Sequence, residues 1–387
     1  MKSPFQHHDL KIVDPPFNSS LTDIILDLEK LRKKYISGTT PPYIFFQLKR
    51  IFHSLESLGS ARIEGNRTRI LDLLEEKLEA SVSKPENIRE IDNIEKALDF
   101  IDEHIDSHPI NRFFLAELHK CVVSNLTAEG DLSPGEYRQQ NVVISNSEHT
   151  PPDYVRVCDY MDELFNFINK DDPPKYALLK MAIAHHRFTW IHPFTNGNGR
   201  TVRLLSYAML LKQKFDVRKG GRILNPTAVF CNDRNTYYQY LSLADTGDDN
   251  NILLWCEYVL RGLRDEIEKI DQLLHYEFLK EKILYPAIEL SLERKIITIE
   301  EQVALKLAVE ETSLSNNKLR AKLKDKYTSQ TSLRINALKE KGMLIAFPDN
   351  KYLYTIQFTN NYLLRSIVAK LIENDFITVQ DDSTKEI

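Results

Sequence analysis

The segment from His192 to Arg203, His-Pro-Phe-Thr-Asn-Gly-Asn-Gly-Arg-Thr-Val-Arg, holds the residue types and spacings that can do chemistry. An imidazole stands just before a short polar loop with glycines at alternate positions, Gly197 and Gly199. Glycine lets backbone N–H groups come close to a ligand. Arg200 and Arg203 follow on what reads as the first turn of a helix. A helix N-terminus offers orphan N–H donors and a partial positive charge, which suits a phosphate. Two guanidiniums add bidentate anion recognition. A histidine beside such a cradle can serve as a general base. A base next to a phosphate cradle points to group transfer from a nucleotide.

That loop needs a scaffold, and the chain is long enough to provide one. Its 387 residues allow two or three domains with sizeable cores. A hydrophobic fraction of 42% and a charged fraction of 28% describe an ordinary soluble protein. Net charge is −5, so any nucleic-acid surface must be local. No apolar run approaches a membrane span, and the first residues lack a signal-peptide core, so a cytoplasmic protein is expected. Cys121, Cys158, Cys231 and Cys256 lack metal-type spacing and read as free thiols.

The scaffold reads as mainly α-helical. Helical periodicity marks 21–35, 43–64, 67–78, 86–104, 111–126, 154–168, 175–190, 200–214, 233–245 and 252–278. Breakers such as Pro41-Pro42, Pro151-Pro152, Pro173-Pro174 and Gly220-Gly221 separate these stretches. Val142-Val143-Ile144, followed by Ser145-Asn146-Ser147, reads instead as a short β-hairpin. Beyond about residue 280 the character changes. Thr298 to Glu301 is a capping-box signature. Helices at 316–324 and 329–341, then strands at 343–347 and 352–358, give the pattern of a winged helix-turn-helix module. The expected division is an N-terminal helical region 1–105, a core domain 106–280 and the winged module 281–387.

The motif at His192 resembles the signature of the Fic (filamentation induced by cyclic AMP) family, His-x-Phe-x-(Asp/Glu)-Gly-Asn-Gly-Arg-x-x-Arg. The likeness extends from about residue 40 to 270. Pro134-Gly-Glu-Tyr-Arg138 through Pro151-Pro152 resembles the family's flap and its approach. Residues 234–245 resemble the helix that closes over adenosine. Ser60-Ala-Arg-Ile-Glu64-Gly65 is similar to the family's inhibitory pattern, (Ser/Thr)-x-x-x-Glu-(Gly/Asn). The resemblance implies a Fic-type helical bundle that transfers AMP from ATP to a hydroxyl side chain of a target protein.

It also implies roles for individual residues. His192 is the expected base, and Asn198 the donor to the α-phosphate. Gly197 and Gly199 open the cradle, while Arg200 and Arg203 hold the β- and γ-phosphates. Tyr237 and Asp245 fall at adenosine contacts. Val142, Val143, Ile144 and Ser145 fall on the flap, 142–147, where a target Ser, Thr or Tyr would dock. Asn196 departs from the family, which has Asp or Glu there to help bind Mg²⁺ or Mn²⁺. A neutral carbonyl oxygen is a poorer ligand for a hard cation, so metal recruitment is expected to weaken.

Ser60 and Glu64 lie at i and i+4, on one helix face. A carboxylate at a helix C-terminus opposes the dipole and seeks a cation. The resemblance names Arg203, whose capture would misplace ATP, so autoinhibition by Glu64 is expected. Alternatives are a de-AMPylating enzyme, or a catalytically weak regulator whose winged helix binds DNA or a protein. Lys318, Arg320, Lys322, Lys324, Lys326, Arg334, Lys339 and Lys341 make 314–358 a candidate DNA footprint. A homodimer is a candidate assembly.

Overall fold

The computed structural model describes residues 5–33, 38–79, 84–144, 147–215, 226–231, 233–359 and 361–377. Ser145 and the breaker Gly220-Gly221 lie outside them. The helices, in chain order, begin with α1 Ser20–Lys33, α2 Pro42–Ile63, α3 Ile70–Glu79 and α4 Glu86–His104. Next come α5 Arg112–Val123, α6 Val157–Asn169, α7 Ala177–Ile191 and α8 Asn198–Lys212. Then follow α9 Pro226–Cys231, α10 Arg234–Ala244, α11 Asp249–Asp271, α12 Tyr276–Leu279 and α13 Tyr285–Glu293. The last four are α14 Ile299–Glu310, α15 Asn316–Leu323, α16 Thr328–Glu340 and α17 Leu363–Glu373. Strands β1 Leu314–Ser315, β2 Leu344–Phe347 and β3 Asn350–Ile356 complete the set.

The chain divides into two compact units. One comprises Met1–Tyr35, His53–Thr68 and Lys84–Glu268. The other comprises Ile36–Phe52, Arg69–Ser83 and Lys269–Ile387.

The first unit is built around α7 and α8, which pack on each other. Apolar residues occur on every face of α7, and a helix apolar all round belongs inside a core. Almost all of its residues are buried, as are those of α8. Helices α6 and α5 pack on α7 and α8 respectively, and α4 on both α5 and α8. Side-chain caps set the starts of the surrounding helices. Asn111 accepts from the Phe114 amide at 3.0 Å to begin α5. Asp233 accepts from the Asn235 and Thr236 amides to begin α10. Such caps satisfy donors that a helix cannot satisfy internally.

The second unit carries the sheet, order β1-β3-β2, with both pairs antiparallel. Leu344 faces Ile356, and an irregularity falls between Ala346 and Phe347. Thr298 and Glu301 form the expected capping box on α14. Helices α13 and α17 and strand β1 were not anticipated from the sequence.

Two sequence expectations are corrected. The helix expected over 252–278 stops at Asp271, and His275 is extended (φ −85°, ψ 105°). Distant threonines hold the break. The Thr40 amide donates to Leu274 O at 3.1 Å, and Thr39 Oγ1 accepts from the Tyr276 amide at 2.8 Å. The flap, in turn, is no β-hairpin among its described residues: 141–144 and 147–153 belong to no strand. A two-stranded ribbon standing alone is marginal in water. Its stems are held by side chains instead, as described below.

Candidate active site

Helix α7 ends at His192, whose backbone takes the left-handed conformation (φ 52°, ψ 61°) with its amide on Phe188 O at 2.9 Å. This turn hands the chain to the loop before α8. The ring of Phe194 is buried beneath the loop and stacks on His119, with centroids 3.7 Å apart. His119 accepts from the Gly135 amide through Nδ1. Its Nε2 therefore carries the proton and donates to Asn196 O at 3.0 Å. Gly197, at φ 73°, opens α8. A side chain there would run into Val123 and His119, so only glycine fits this approach.

The Thr189 backbone lies near the His192 ring and favours its protonated form. Burial pushes its pKa down to about 4; the Thr189 bond opposes that shift, and the Arg138 charge adds to it. The imidazole is therefore neutral at pH 7, as a base must be.

Glu64 follows the end of α2, and Gly65 (φ 110°) turns the chain away. Arg203 converges on this point. Its Nη2 donates to Glu64 Oε1 at 2.8 Å and to Ser60 O at 2.9 Å, and its Nε donates to Ser60 Oγ at 2.8 Å. Its Nη1 is buried with no partner among the described residues. The carboxylate also lies over the N-terminus of α8: a Cβ placed on Gly199 would sit 2.0 Å from Glu64 Oε1. Glu64 thus fills the seat where an anion would meet this helix end. Burial would raise its pKa, but Arg203, with smaller contributions from Arg200 and His192, holds it below the usual carboxylate range.

Several expected ligands are spent elsewhere in this state. Arg200 is fully buried: Nη1 donates to Glu90 Oε1 at 2.8 Å, and Nη2 to Glu129 O at 3.0 Å and Glu129 Oε2 at 3.3 Å. Only its Nε lacks a partner among the described residues. Glu90 accepts from Asn66, two residues past Glu64, at 2.7 Å. The Asn198 amide closes a ring with Phe194, accepting from its N–H at 2.9 Å and donating to its carbonyl at 2.8 Å. It shapes the loop rather than facing an anion. Asn196 Oδ1 accepts from the Gly197 amide at 2.7 Å, and the Asn196 amide donates to Asp131 Oδ2 at 3.3 Å. The described residues include no group of three potential metal ligands.

Tyr237, expected at the adenosine, lies inside the fold. That ring is buried, and its hydroxyl pairs with His185 Nε2 at 2.9 Å, while His185 Nδ1 pairs with Ser206 Oγ at 2.8 Å. Tyr237 ties α10 to α7 and is not open to a ligand. Tyr238 presents the exposed ring, close enough to feel the charges of Glu64 and Arg203. Helical periodicity could have found this, because 237, 241 and 244 share the inward face. Asp245 Oδ1 is held by His186 Nε2 at 2.9 Å. On the flap, Val143 is exposed while Val142 and Ile144 are half-buried.

The chain is similar to known proteins in its sequence and in its fold. Residues 109–210 match the Fic/DOC family, so the chain carries a Fic domain. Over 196 residues it is 29% identical to the Protein adenylyltransferase Fic of Nematostella vectensis, covering 49% of this chain and 42% of that protein. The same-named protein of Aedes aegypti is 27% identical, covering 51% and 38%. The chain thus spans less than half the length of these curated relatives. Among solved structures, a Fic family protein from Desulfovibrio desulfuricans G20 aligns with a TM-score of 0.54 at 20% identity, covering 89% of this chain and 98% of that one. Fic-1 from C. elegans aligns at 0.52 and 21%, covering 65% and 71%. The mainly helical fold is a Fic fold. No helix among the described residues is long and apolar enough to cross a membrane.

Proposed function

We propose that this chain is a protein adenylyltransferase held in check by Glu64. The observation that carries the reading is the Glu64 carboxylate at the N-terminus of α8, bonded to Arg203. A carboxylate in an anion seat is a substitute for phosphate. When Glu64 leaves, Arg203 Nη2 and the already free Nη1 face the vacated space. In the proposed reaction His192 takes the proton of the target's Ser, Thr or Tyr hydroxyl. The oxygen attacks the α-phosphorus of ATP, the bond to the β-phosphate oxygen breaks, and pyrophosphate leaves. The target approaches along the flap at 142–147, whose described residues 142–144 belong to no strand and leave their backbone available to an extended peptide. Arg203 is the phosphate ligand of this scheme. Arg200, with both terminal nitrogens on carboxylates, is a framework residue until Glu90 and Glu129 release it.

For residues 281–387 we keep the winged-helix reading, supported by the order α14-β1-α15-α16-β2-β3. The positive charge there is smaller than the sequence implies. Lys318, Arg334 and Lys341 pair with Glu311, Asp325 and Glu301.

Intact-mass spectrometry of Glu64→Gly protein incubated with ATP tests the enzyme reading. The expected result is a gain of one AMP that His192→Ala abolishes. No ATP binding and no mass gain in Glu64→Gly would sink it.

A further inference from the structure

Arg138 lies in none of the roles above. Its side chain is buried, yet all its hydrogen-bond acceptors are neutral backbone carbonyls. Nε donates to His192 O at 2.9 Å, and Nη1 to Gln140 O at 3.0 Å. Nη2 donates to Pro152 O at 2.6 Å and, at 3.5 Å, to Ile191 O. The Arg138 amide adds a bond to Pro193 O at 2.8 Å. Burying a guanidinium without an ion pair is costly, and Asp153 acts on it only through space. Such a group persists where its fork geometry specifies a structure.

The four carbonyls belong to two structures. Ile191 and His192 end α7 and carry the base. Gln140 and Pro152 are the two stems of the flap. His192 is a non-glycine residue in the left-handed region, a conformation that surrounding contacts must hold. The flap has no described strand pairing to close its stems. Both needs meet on one planar cation.

We infer that Arg138 is the positioning residue of this site, fixing the backbone of His192 and both flap stems with a single guanidinium. The inference rests on the reading of His192 as the base. A target pressing on the flap moves carbonyls bonded to the same cation as the base, so docking and base alignment are mechanically coupled. Lysine keeps the charge but cannot span carbonyls on two structures. Methionine removes the charge and leaves the stem.

The test uses Arg138→Lys and Arg138→Met, each in the full chain carrying Glu64→Gly, with ATP as the probe. Automodification kcat is expected to fall about 10–100-fold, the effect of misplacing a reacting group by an ångström. KM for ATP is expected to stay within about twofold, because Arg138 makes no contact with the α8 end. A kcat within threefold of the parent in either folded variant overturns the inference, and so does a loss seen only in KM. A second readout needs no activity. In Arg138→Met with Glu64 intact, the His192 imidazole, followed by NMR, should titrate above the parent's value of about 4, because a nearby positive charge is gone. An unchanged titration in folded protein also overturns it. If Glu64→Gly itself neither binds nor transfers ATP, the enzyme reading fails while the NMR readout still judges Arg138.

Discussion

Replacing Glu64 by glutamine keeps the shape of the side chain and removes its charge; glycine removes both. The structure sets the size of each effect. Glu64 Oε1 lies 2.8 Å from Arg203 Nη2, and 27% of the glutamate side chain is exposed. A charge-assisted hydrogen bond is worth about 1.5–3 kcal/mol net. Partial solvent screening lowers that to about 1–2 kcal/mol. At tenfold per ~1.4 kcal/mol, ATP competing for Arg203 should bind about 5–30-fold more tightly once the charge is gone. The glutamine amide still fills the space over Gly199, so Glu64→Gln should reach only part of this gain. Glu64→Gly should exceed it, and automodification should rise in the same order. Calorimetric titration with ATP and a labelled-ATP transfer assay measure the two effects. Equal affinity and rate in wild type and both variants would refute the seat-filling argument. Protonation offers no substitute for the mutation. Because Arg203 holds the Glu64 pKa below its usual value, the pair is intact above the unfolded carboxylate value of about 4.3 and is lost only at lower pH. By then His192 is itself gaining a proton, so acid would empty the seat and disable the base together.

Other perturbations isolate other parts of the site. The transfer rate of Glu64→Gly should be flat from about pH 6 to 8 and should fall only as pH approaches the His192 value of about 4; a half-maximal point near the ordinary histidine value of 6.5 would contradict its burial. Gly199→Ala keeps a helical residue, but its Cβ would sit 2.0 Å from Glu64 Oε1 and 3.2 Å from Arg203 Nη1. The double variant Glu64→Gly/Gly199→Ala should therefore melt as the parent does and lose ATP affinity, and normal ATP binding would show that the anion does not use this seat. Asn196→Asp can keep the acceptor for the Gly197 amide while adding a charge, so half-saturating Mg²⁺ for transfer should fall several-fold. An unchanged Mg²⁺ titration would mean that residue 196 does not govern metal recruitment.

How much of this was legible beforehand depends on the range of each interaction. The loop at His192 is local: base, glycines and arginines fit within a dozen residues, and their spacing alone implies a cradle. The helices were legible for the same reason, since periodicity and caps act within a few residues. Glu64 lies far from Arg203 in sequence, but its place at a helix C-terminus marked it as a carboxylate in need of a cation. The helix break shows the opposite property. The break at His275 is held by Thr39 and Thr40, and no window around 275 contains them. Tyr237 and Tyr238 are the same residue type side by side, so only the buried face of α10 separates the framework ring from the exposed one.

The arginines carry this argument furthest. From composition and spacing alone, Arg200 and Arg203 are alike: same type, same helix turn, both expected on phosphate. Their environments divide them. Arg203 meets one carboxylate, Glu64, which sits on a helix end and stays partly exposed. Arg200 meets Glu90, which is almost wholly buried and whose pKa burial raises despite the nearby guanidinium. A carboxylate that burial disfavours in its charged form leaves its cation only at high cost, because Glu90 would then be buried with only the Asn66 amide and Arg200 would be left with Glu129 alone. A partly exposed carboxylate can swing into water at far lower cost. On the proposed function, the Arg203 pair is the one that opens to admit a ligand, and the Arg200 pair is the frame against which it opens. Truncating each carboxylate separates the two. Glu64→Gly should lower the melting temperature by less than Glu90→Ala does, while raising transfer. Glu90→Ala should leave the buried Arg200 guanidinium with Glu129 as its one carboxylate partner and lower the melting temperature by several degrees. Equal melting temperatures for the two variants would show that the arginines are as interchangeable in the fold as they are in the sequence.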